Sequence, residues 1–267
     1  MLSYQHHYHA GNLADVHKHA VLSWVLNYLT LKDKPLSYIE THAGRGLYDL
    51  ASDAALKTGE AAQGITLAEG WFPPDHPYRQ RLMETRAAHG PQAYPGSPLI
   101  AALGLRETDS IHLAELHPQE VQHLRATAAP WGAHIHQRDG FELALALTPP
   151  TPRRGLMLID PSYEVKADYD AIPKHLANIH RKWNVGILIL WYPILTGAPH
   201  ASMLKSLVDS FPDGLRHEVR FPPARDGHRM EGSGLFVINP PFGLDDEAVW
   251  LGNQFKTHYQ SVATGPR

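Results

Sequence analysis

The chain has no cysteine among its 267 residues, which excludes disulfides and thiolate metal sites. No stretch of about 18 apolar residues occurs, so no transmembrane helix is expected. Residues 1–10 are polar and histidine-rich, unlike a secretory signal. A soluble cytoplasmic protein is the expectation. Positive charge is not in excess either: 24 Lys and Arg stand against 27 Asp and Glu, a net charge of −3. That argues against a broadly basic nucleic-acid coat but leaves room for a local basic patch. No internal repeat is visible.

What the chain does have is enough apolar material, 43%, for a sizeable α/β core. It also has 19 histidines, a reserve of positive charge that grows as pH falls toward about 6.5.

The most informative stretch is Gly155-Leu156-Met157-Leu158-Ile159-Asp160-Pro161-Ser162-Tyr163. Four large apolar residues read as a strand buried on both faces. Pro161 cannot donate to a sheet ladder and ends it. Asp160 is thereby delivered to the carboxyl end of a buried strand, the edge where open α/β sheets bind ligands. Asp160-Pro161-Ser162-Tyr163 resembles the Asp-Pro-Pro-Tyr motif of S-adenosylmethionine-dependent methyltransferases that modify exocyclic amines. The chemistry accounts for such a motif. An exocyclic adenine amine is a poor nucleophile, because its lone pair is conjugated into the ring. A carboxylate and the Pro161 carbonyl, both acceptors, can hold its two N–H groups and aim that lone pair. Tyr163 would offer an extruded base a face to stack on. The competing reading is a surface turn, where Asp-Pro-Ser is common.

Upstream, Asn12 reads as an N-cap with Asp15 near the positive helix end, opening a helix over residues 13–31. His6, His9, His17 and His19 match no metal-ligand spacing, so no metal is expected, and residues 6–9 could equally be a solvated tail. Residues 36–40 read as the first strand. Thr41-His42-Ala43-Gly44-Arg45-Gly46 comes directly after it, a glycine turn that permits close ligand approach but lacks the third glycine of the dinucleotide fingerprint. His42 could contact a cofactor there or merely cap the turn. Residues 49–98 break the α/β rhythm and read as a small inserted helical subdomain with a helix over 78–89. Ser97, in a rigid Pro-Gly-Ser-Pro turn, could face a ligand or only connect.

Residues 111–115 read as a second strand ending in Glu115, placed to accept from ribose hydroxyls or to cap the next helix. Asp139, after a short third strand over 134–137, could reach an adenine amine or cap the helix over 141–147. Two acids at successive strand tips, both upstream of Asp160, carry more weight than either alone. A helix over 167–182, a strand over 185–191 closed by Tyr192-Pro193, and a helix over 198–210 come next. The last strands read as 215–221 and 235–239. Between them residues 222–233, with Arg225, His228 and Arg229, form a long loop, either a lid or a plain hairpin. A helix over 246–258 ends the pattern. The expected fold is α/β: one Rossmann-like class I methyltransferase domain over residues 1–267. Its sheet is seven-stranded and mostly parallel, and residues 49–98 are inserted.

The resemblance extends beyond fold class. It is carried by Met1-Leu2-Ser3-Tyr4, His9-Ala10-Gly11-Asn12, Ala14-Asp15-Val16 and Lys18-His19. Further along, Thr41-His42-Ala43-Gly44, Thr58-Gly59-Glu60, Tyr94-Pro95-Gly96-Ser97-Pro98 and Glu115-Leu116-His117-Pro118 share it. Asp139-Gly140-Phe141, Arg153-Arg154-Gly155 and Leu190-Trp191-Tyr192-Pro193 complete it. Together, across nearly the whole chain, these resemble the J family of bacterial 23S ribosomal RNA adenine-N6 methyltransferases. The resemblance implies a monomer that methylates N6 of one adenosine in 23S ribosomal RNA with S-adenosylmethionine, yielding S-adenosylhomocysteine. It implies cofactor contacts at His19, His42, Ser97, Glu115, Asp139, Gly140 and Asp160. Asp160 is the implied catalytic acid, and Tyr4, His6 and Lys18 the implied substrate contacts. Ser162 departs from the motif's second proline and frees that loop's backbone. Adenine in DNA or a protein glutamine amide are alternative acceptors for related motifs. A nucleotide-binding module without catalysis is the alternative outside the enzyme class.

Overall fold

The computed structural model describes residues 6–225, 227 and 229–260. Its organising element is the strand read from the apolar run, β6 (Gly155–Ile159), in which all five residues are buried. Leu156 and Leu158 join one hydrophobic core, while Met157 and Ile159 join another on the opposite face. The side chains of a strand alternate, so a continuous apolar run feeds two cores at once.

Around it lie β1 (Ser37–Glu40), β4 (Ser110–Ala114), β5 (His134–His136), β7 (Ile187–Leu195), β8 (Leu215–Arg220) and β9 (Met230–Ile238). The sheet order is β5-β4-β1-β6-β7-β9-β8. The pairs from β5 through β7 are parallel, whereas β9 runs antiparallel to both β7 and β8. This is the seven-stranded, mostly parallel α/β sheet expected. Strand order reverses between β1 and β6, which makes the crevice beyond their carboxyl ends the topological switch point.

One face is covered by α1 (Leu13–Thr30), buried on nearly every side, together with α5 (Pro77–His89), α6 (Ser97–Gly104) and α11 (Leu244–Phe255). The other carries α8 (Gly140–Leu147), α9 (Asp168–Lys182) and α10 (Ala201–Ser210). Helix α7 (Pro118–Ala128) links β4 to β5. Within residues 49–98 lie the short helices α2 (Asp53–Thr58), α3 (Glu60–Gln63) and α4 (Ile65–Ala68), then α5. Ile65, Ala68, Phe72, Tyr78 and Leu82 pack into the same core as α1, so this segment shares the apolar interior of the sheet. Among the described residues no helix is long and apolar enough to cross a membrane.

Several boundaries differ from the sequence reading. A two-stranded hairpin, β2 (Leu47–Asp49) against β3 (Ala93–Pro95), brackets the inserted segment. β7 does not stop at Tyr192-Pro193 but continues to Leu195. β6 ends opposite Leu190, so from Trp191 onward one side of β7 is a free edge, which tolerates proline. β9 begins at Met230, which shortens the long loop from its carboxyl side. Gly232 and Gly234 disguise that strand as loop. A Cβ on Gly234 would lie 2.1 Å from the Tyr192 ring, so the glycine is there for close packing within the sheet. Helix α10 begins at Ala201, after a turn in which Ala198 adopts φ 47°. The terminal helix ends at Phe255 and gives way to a wider π turn, Lys256–Gln260.

Candidate active site

The carboxyl ends of β1, β4 and β6 open into one cavity of about 1040 Å³. Its lining includes His6, Lys18, His19, His42, Ser97, Glu115, Asp139, Gly140, Asp160, Pro161 and Tyr163. Every site residue expected from the sequence is therefore gathered there except Tyr4, which lies outside the described residues.

Asp160 leaves β6 with its carboxylate bonded to Lys18, Nζ to Oδ2 at 2.5 Å. Lys18 reaches it from α1 and also lies 3.1 Å from Asp15 Oδ1. Burial opposes charge on Lys18, but the two carboxylates outweigh it and raise its pKa above the ordinary lysine value. Asp15 is buried too. Burial works against its ionisation, yet His6, Lys18 and His19 hold its pKa well below the usual carboxylate range. Its second oxygen accepts from the Gly11 N–H at 3.0 Å and lies 2.9 Å from His6 Nε2. Lys18 also lies over the Trp191 ring, 5.6 Å from its centroid.

After Pro161 and Ser162, Tyr163 takes a left-handed backbone, φ 56°, a strained choice for an aromatic residue. Its hydroxyl donates to the Trp191 carbonyl at 2.8 Å, and its ring packs against Tyr169 with centroids 4.7 Å apart. It lines the cavity while only 8% exposed, so it is a fixed wall rather than a free ring.

Across the switch point, Gly44 (φ 64°) closes the turn after β1, and its N–H donates to Glu115 at 2.8 Å. Glu115 also accepts from the His117 N–H at 2.7 Å, so it ties two strand-tip loops together. The cap of α7 is His117, whose ring accepts from the Gln119 N–H. Burial raises the Glu115 pKa against those N–H bonds. Asp139 caps α8, accepting from the Glu142 N–H at 2.9 Å, and faces the cavity as well. A Cβ on Gly140 would lie 1.9 Å from the Thr41 carbonyl, so only glycine lets α8 begin this close to the β1 loop. Burial lowers the His42 pKa against the opposing pull of Asp160 and Asp139. His19 bonds Tyr94 OH through Nδ1 at 2.9 Å, while its buried Nε2 has no hydrogen-bond partner and lies 3.8 Å from Asp15 Oδ1. Burial lowers the His19 pKa to about 3.

The four N-terminal histidines do not converge on one centre, although His6 and His19 both flank Asp15. His6 reaches Asp15, His9 Glu60, His17 Ser233 and His217, and His19 Tyr94. A solvated tail over residues 6–9 is corrected accordingly: His6–Tyr8 is a half-buried 3₁₀ turn held by side-chain bonds. Among the described residues no group of three or more His, Cys, Asp or Glu is placed to hold a metal.

Residues 33–266 match the family described as Ribosomal RNA large subunit methyltransferase D, RlmJ. The chain belongs to this family. Proteins named Ribosomal RNA large subunit methyltransferase J resemble it closely. The one from Escherichia coli strain K12 is 41% identical and that from Haemophilus influenzae 38%. Each match spans 92% of this chain and 90% of the relative. The crystal structure of a Legionella pneumophila protein superposes with a TM-score of 0.83 at 34% identity, covering 94% of both chains.

Sequence reasoning misses two acids that organise this RlmJ-family cavity. Asp15 reads from the sequence only as a charge near a helix start. Glu40, at the tip of β1, obeys the same strand-tip rule as Glu115 and Asp160 but is fully buried. It accepts from Ser97 Oγ at 2.5 Å and from Tyr38 OH at 2.8 Å, so it stands behind Ser97. Burial raises its pKa to about 8 despite both bonds. Trp191 is the third omission. Its indole N–H donates to Ser233 at 2.9 Å, which fixes the ring beneath Lys18.

Proposed function

We propose that this RlmJ-family chain transfers the methyl group of S-adenosylmethionine to N6 of an adenosine in 23S ribosomal RNA. The observation that carries the reading is Asp160: a carboxylate at the tip of the central strand, beside the switch point, in Asp-Pro-Ser-Tyr, facing one cavity with Glu115 and Asp139. Family membership and the names of the relatives support it.

The residues fit the cofactor on two counts. The cavity carries acids from three strand tips, matching a ligand with a sulfonium and an ammonium cation. It also offers acceptor capacity to spare in the remaining lone pairs on Glu115. Glu115 would accept from ribose hydroxyls, Asp139 and Gly140 would meet the adenine end, and His19, His42, Ser97 and Asp160 the methionine end. The bound cofactor supplies an electrophilic methyl on sulfur.

The chain's own task is to hold the acceptor. Asp160 and the Pro161 carbonyl take the two amine protons, which aims the nitrogen lone pair. Methyl transfer from the bound cofactor would leave the amine cationic, and the N–H held by Asp160 would then pass its proton to that carboxylate. Tyr163 and Trp191 wall the base pocket, while His6 and Lys18 approach from the acceptor side. The family resemblance supports a monomer as working unit, and an RNA substrate supports a cytoplasmic site of action. Residues 49–98 are read as an insertion that backs α1.

The test is transfer of labelled methyl to ribosomal RNA, DNA and protein pools from cells lacking the enzyme. Label in N6-methyladenosine of 23S RNA supports the reading. Label only in DNA or protein, or cofactor binding without transfer, overturns it.

A further inference from the structure

We propose that Asp15 is a positioning residue, a second station that takes charge of Lys18 when Asp160 turns to its acceptor. The inference rests on the methyl-transfer reading above and adds a residue to it. Lys18 Nζ is bonded to Asp160 at 2.5 Å and lies 3.1 Å from Asp15. Lys18 sits on Oδ2 of Asp160 and neutralises its charge. Asp160 becomes a stronger acceptor for the incoming amine once Lys18 draws off.

Yielding would be unfavourable for an isolated lysine here. Lys18 is 4% exposed, and a buried ammonium that loses its one carboxylate is left uncompensated. Asp15 removes that obstacle. It stands one helical turn earlier on α1, already within ion-pair distance, so the ammonium shifts between carboxylates without leaving the pair. Asp15 itself is fixed. It is 1% exposed, and the Gly11 N–H and His6 hold its other oxygen. Its own backbone N–H is tied to Asn12 Oδ1 at 2.9 Å. The groups facing Lys18 are then Asp15, Asp160 and the Trp191 ring, one cation against two carboxylates. One negative charge remains over, so Asp160 can be freed without stranding a cation. Removing the charge of Asp15 closes Lys18 and Asp160 into a neutral pair that competes with the amine.

The experiment is a double-mutant cycle on RNA methylation, read as kcat, with cofactor affinity and thermal melting on each variant. Asp15→Asn is expected to lower kcat on the order of 10-fold or more, with cofactor affinity within about twofold of wild type. In a Lys18→Met background the same change is expected to cost less than about twofold, because no ammonium remains to lock Asp160. In a His6→Ala background it should stay costly. Equal losses in the Lys18→Met and wild-type backgrounds would return Asp15 to a structural role. A measurement independent of activity and of the fate of Asp15→Asn is nitrogen-15 NMR of the Lys18 ammonium in Asp160→Asn. A protonated, exchange-protected Lys18 signal at pH 9 is expected, held by Asp15. A neutral or freely exchanging amine overturns the second station. Failure of wild-type protein to methylate RNA would overturn the methyl-transfer reading alone and leave this NMR test standing.

Discussion

Ser97 donates its hydroxyl to Glu40 at 2.5 Å, and it is through this bond that a residue with no exposure shapes the cavity. With its proton committed to Glu40, Ser97 offers the cavity its lone pairs, the right polarity for an ammonium group. Glu40 in turn makes the fold sensitive to pH.

Glu40 has a folded pKa of about 8 against 4.5 for the free side chain. Its contribution to stability is full below 4.5 and lost as pH rises through 8, about 5 kcal/mol in all. His19 runs the other way, with a folded pKa of about 3 against 6.5. Its contribution is present above 6.5 and falls as pH drops, by about 2 kcal/mol at pH 5. His17, buried and held well below its ordinary value, shares that sign. The melting temperature should therefore peak around pH 6.5 and decline on both sides. Glu40→Gln should flatten the alkaline limb and steepen the acid limb between pH 4.5 and 6.5, where Glu40 opposes the histidines. An alkaline limb unchanged in that variant would mean that Glu40 does not set it.

Asp160→Ala is expected to lower single-turnover methylation on the order of 10²-fold or more, the scale of one preorganised electrostatic group. Folding should survive, because the acid stands at a strand tip with its side chain 14% exposed and facing a cavity. Near-normal turnover by the folded variant would remove Asp160 from the chemistry.

Glu115→Ala is expected to weaken the cofactor by roughly 1.5–3 kcal/mol for each hydroxyl bond lost, at most. Part of the loss would be indirect, since Glu115 also binds the Gly44 and His117 N–H groups. Glu115→Gln keeps one acceptor oxygen and should fall between the two in calorimetry. Wild-type affinity in both variants would confine Glu115 to tying the loops.

Strand-tip acids and the apolar run before Asp160 are legible in the sequence because both obey local rules. A strand buried on both faces needs consecutive apolar residues, and the break in that run exposes the acid at its tip. β9 is not legible, because Gly232 and Gly234 answer to Val219 and Tyr192, residues far off in sequence whose proximity only the folded sheet creates. The same holds for Asp15. Its helix position can be read, but its partner Asp160 is 145 residues away and Lys18 joins them only in three dimensions. Glu40 shows the converse. The strand-tip rule selects it, and burial alone moves it out of the cavity to a place behind Ser97.

The cavity proposed to receive the RNA is acidic. Asp15, Glu115, Glu120, Asp139, Asp160, Glu164 and Asp168 line it against Lys18, Arg225 and Arg229. A polyanion approaching such a mouth needs cations at the rim, and two of the three stand on the loop between β8 and β9. Both arginines are exposed, whereas Arg216 and Arg220 on β8 have Glu218 and Glu231 at 2.9 and 3.8 Å. Arg225 and Arg229 are therefore the groups available for phosphates flanking the target adenosine. Each phosphate contact in single-stranded RNA contributes about 0.7 to the slope of log affinity against log salt. Changing both arginines to Gln should reduce that slope, measured on kcat/KM for RNA, by about 1.4. The rate at saturating RNA and the affinity for cofactor should stay near wild type, because neither arginine is needed to hold the amine or the cofactor. A slope equal to that of wild type would exclude this loop from the RNA contact. A fall in cofactor affinity of the same size would make the loop a cover for the cofactor instead.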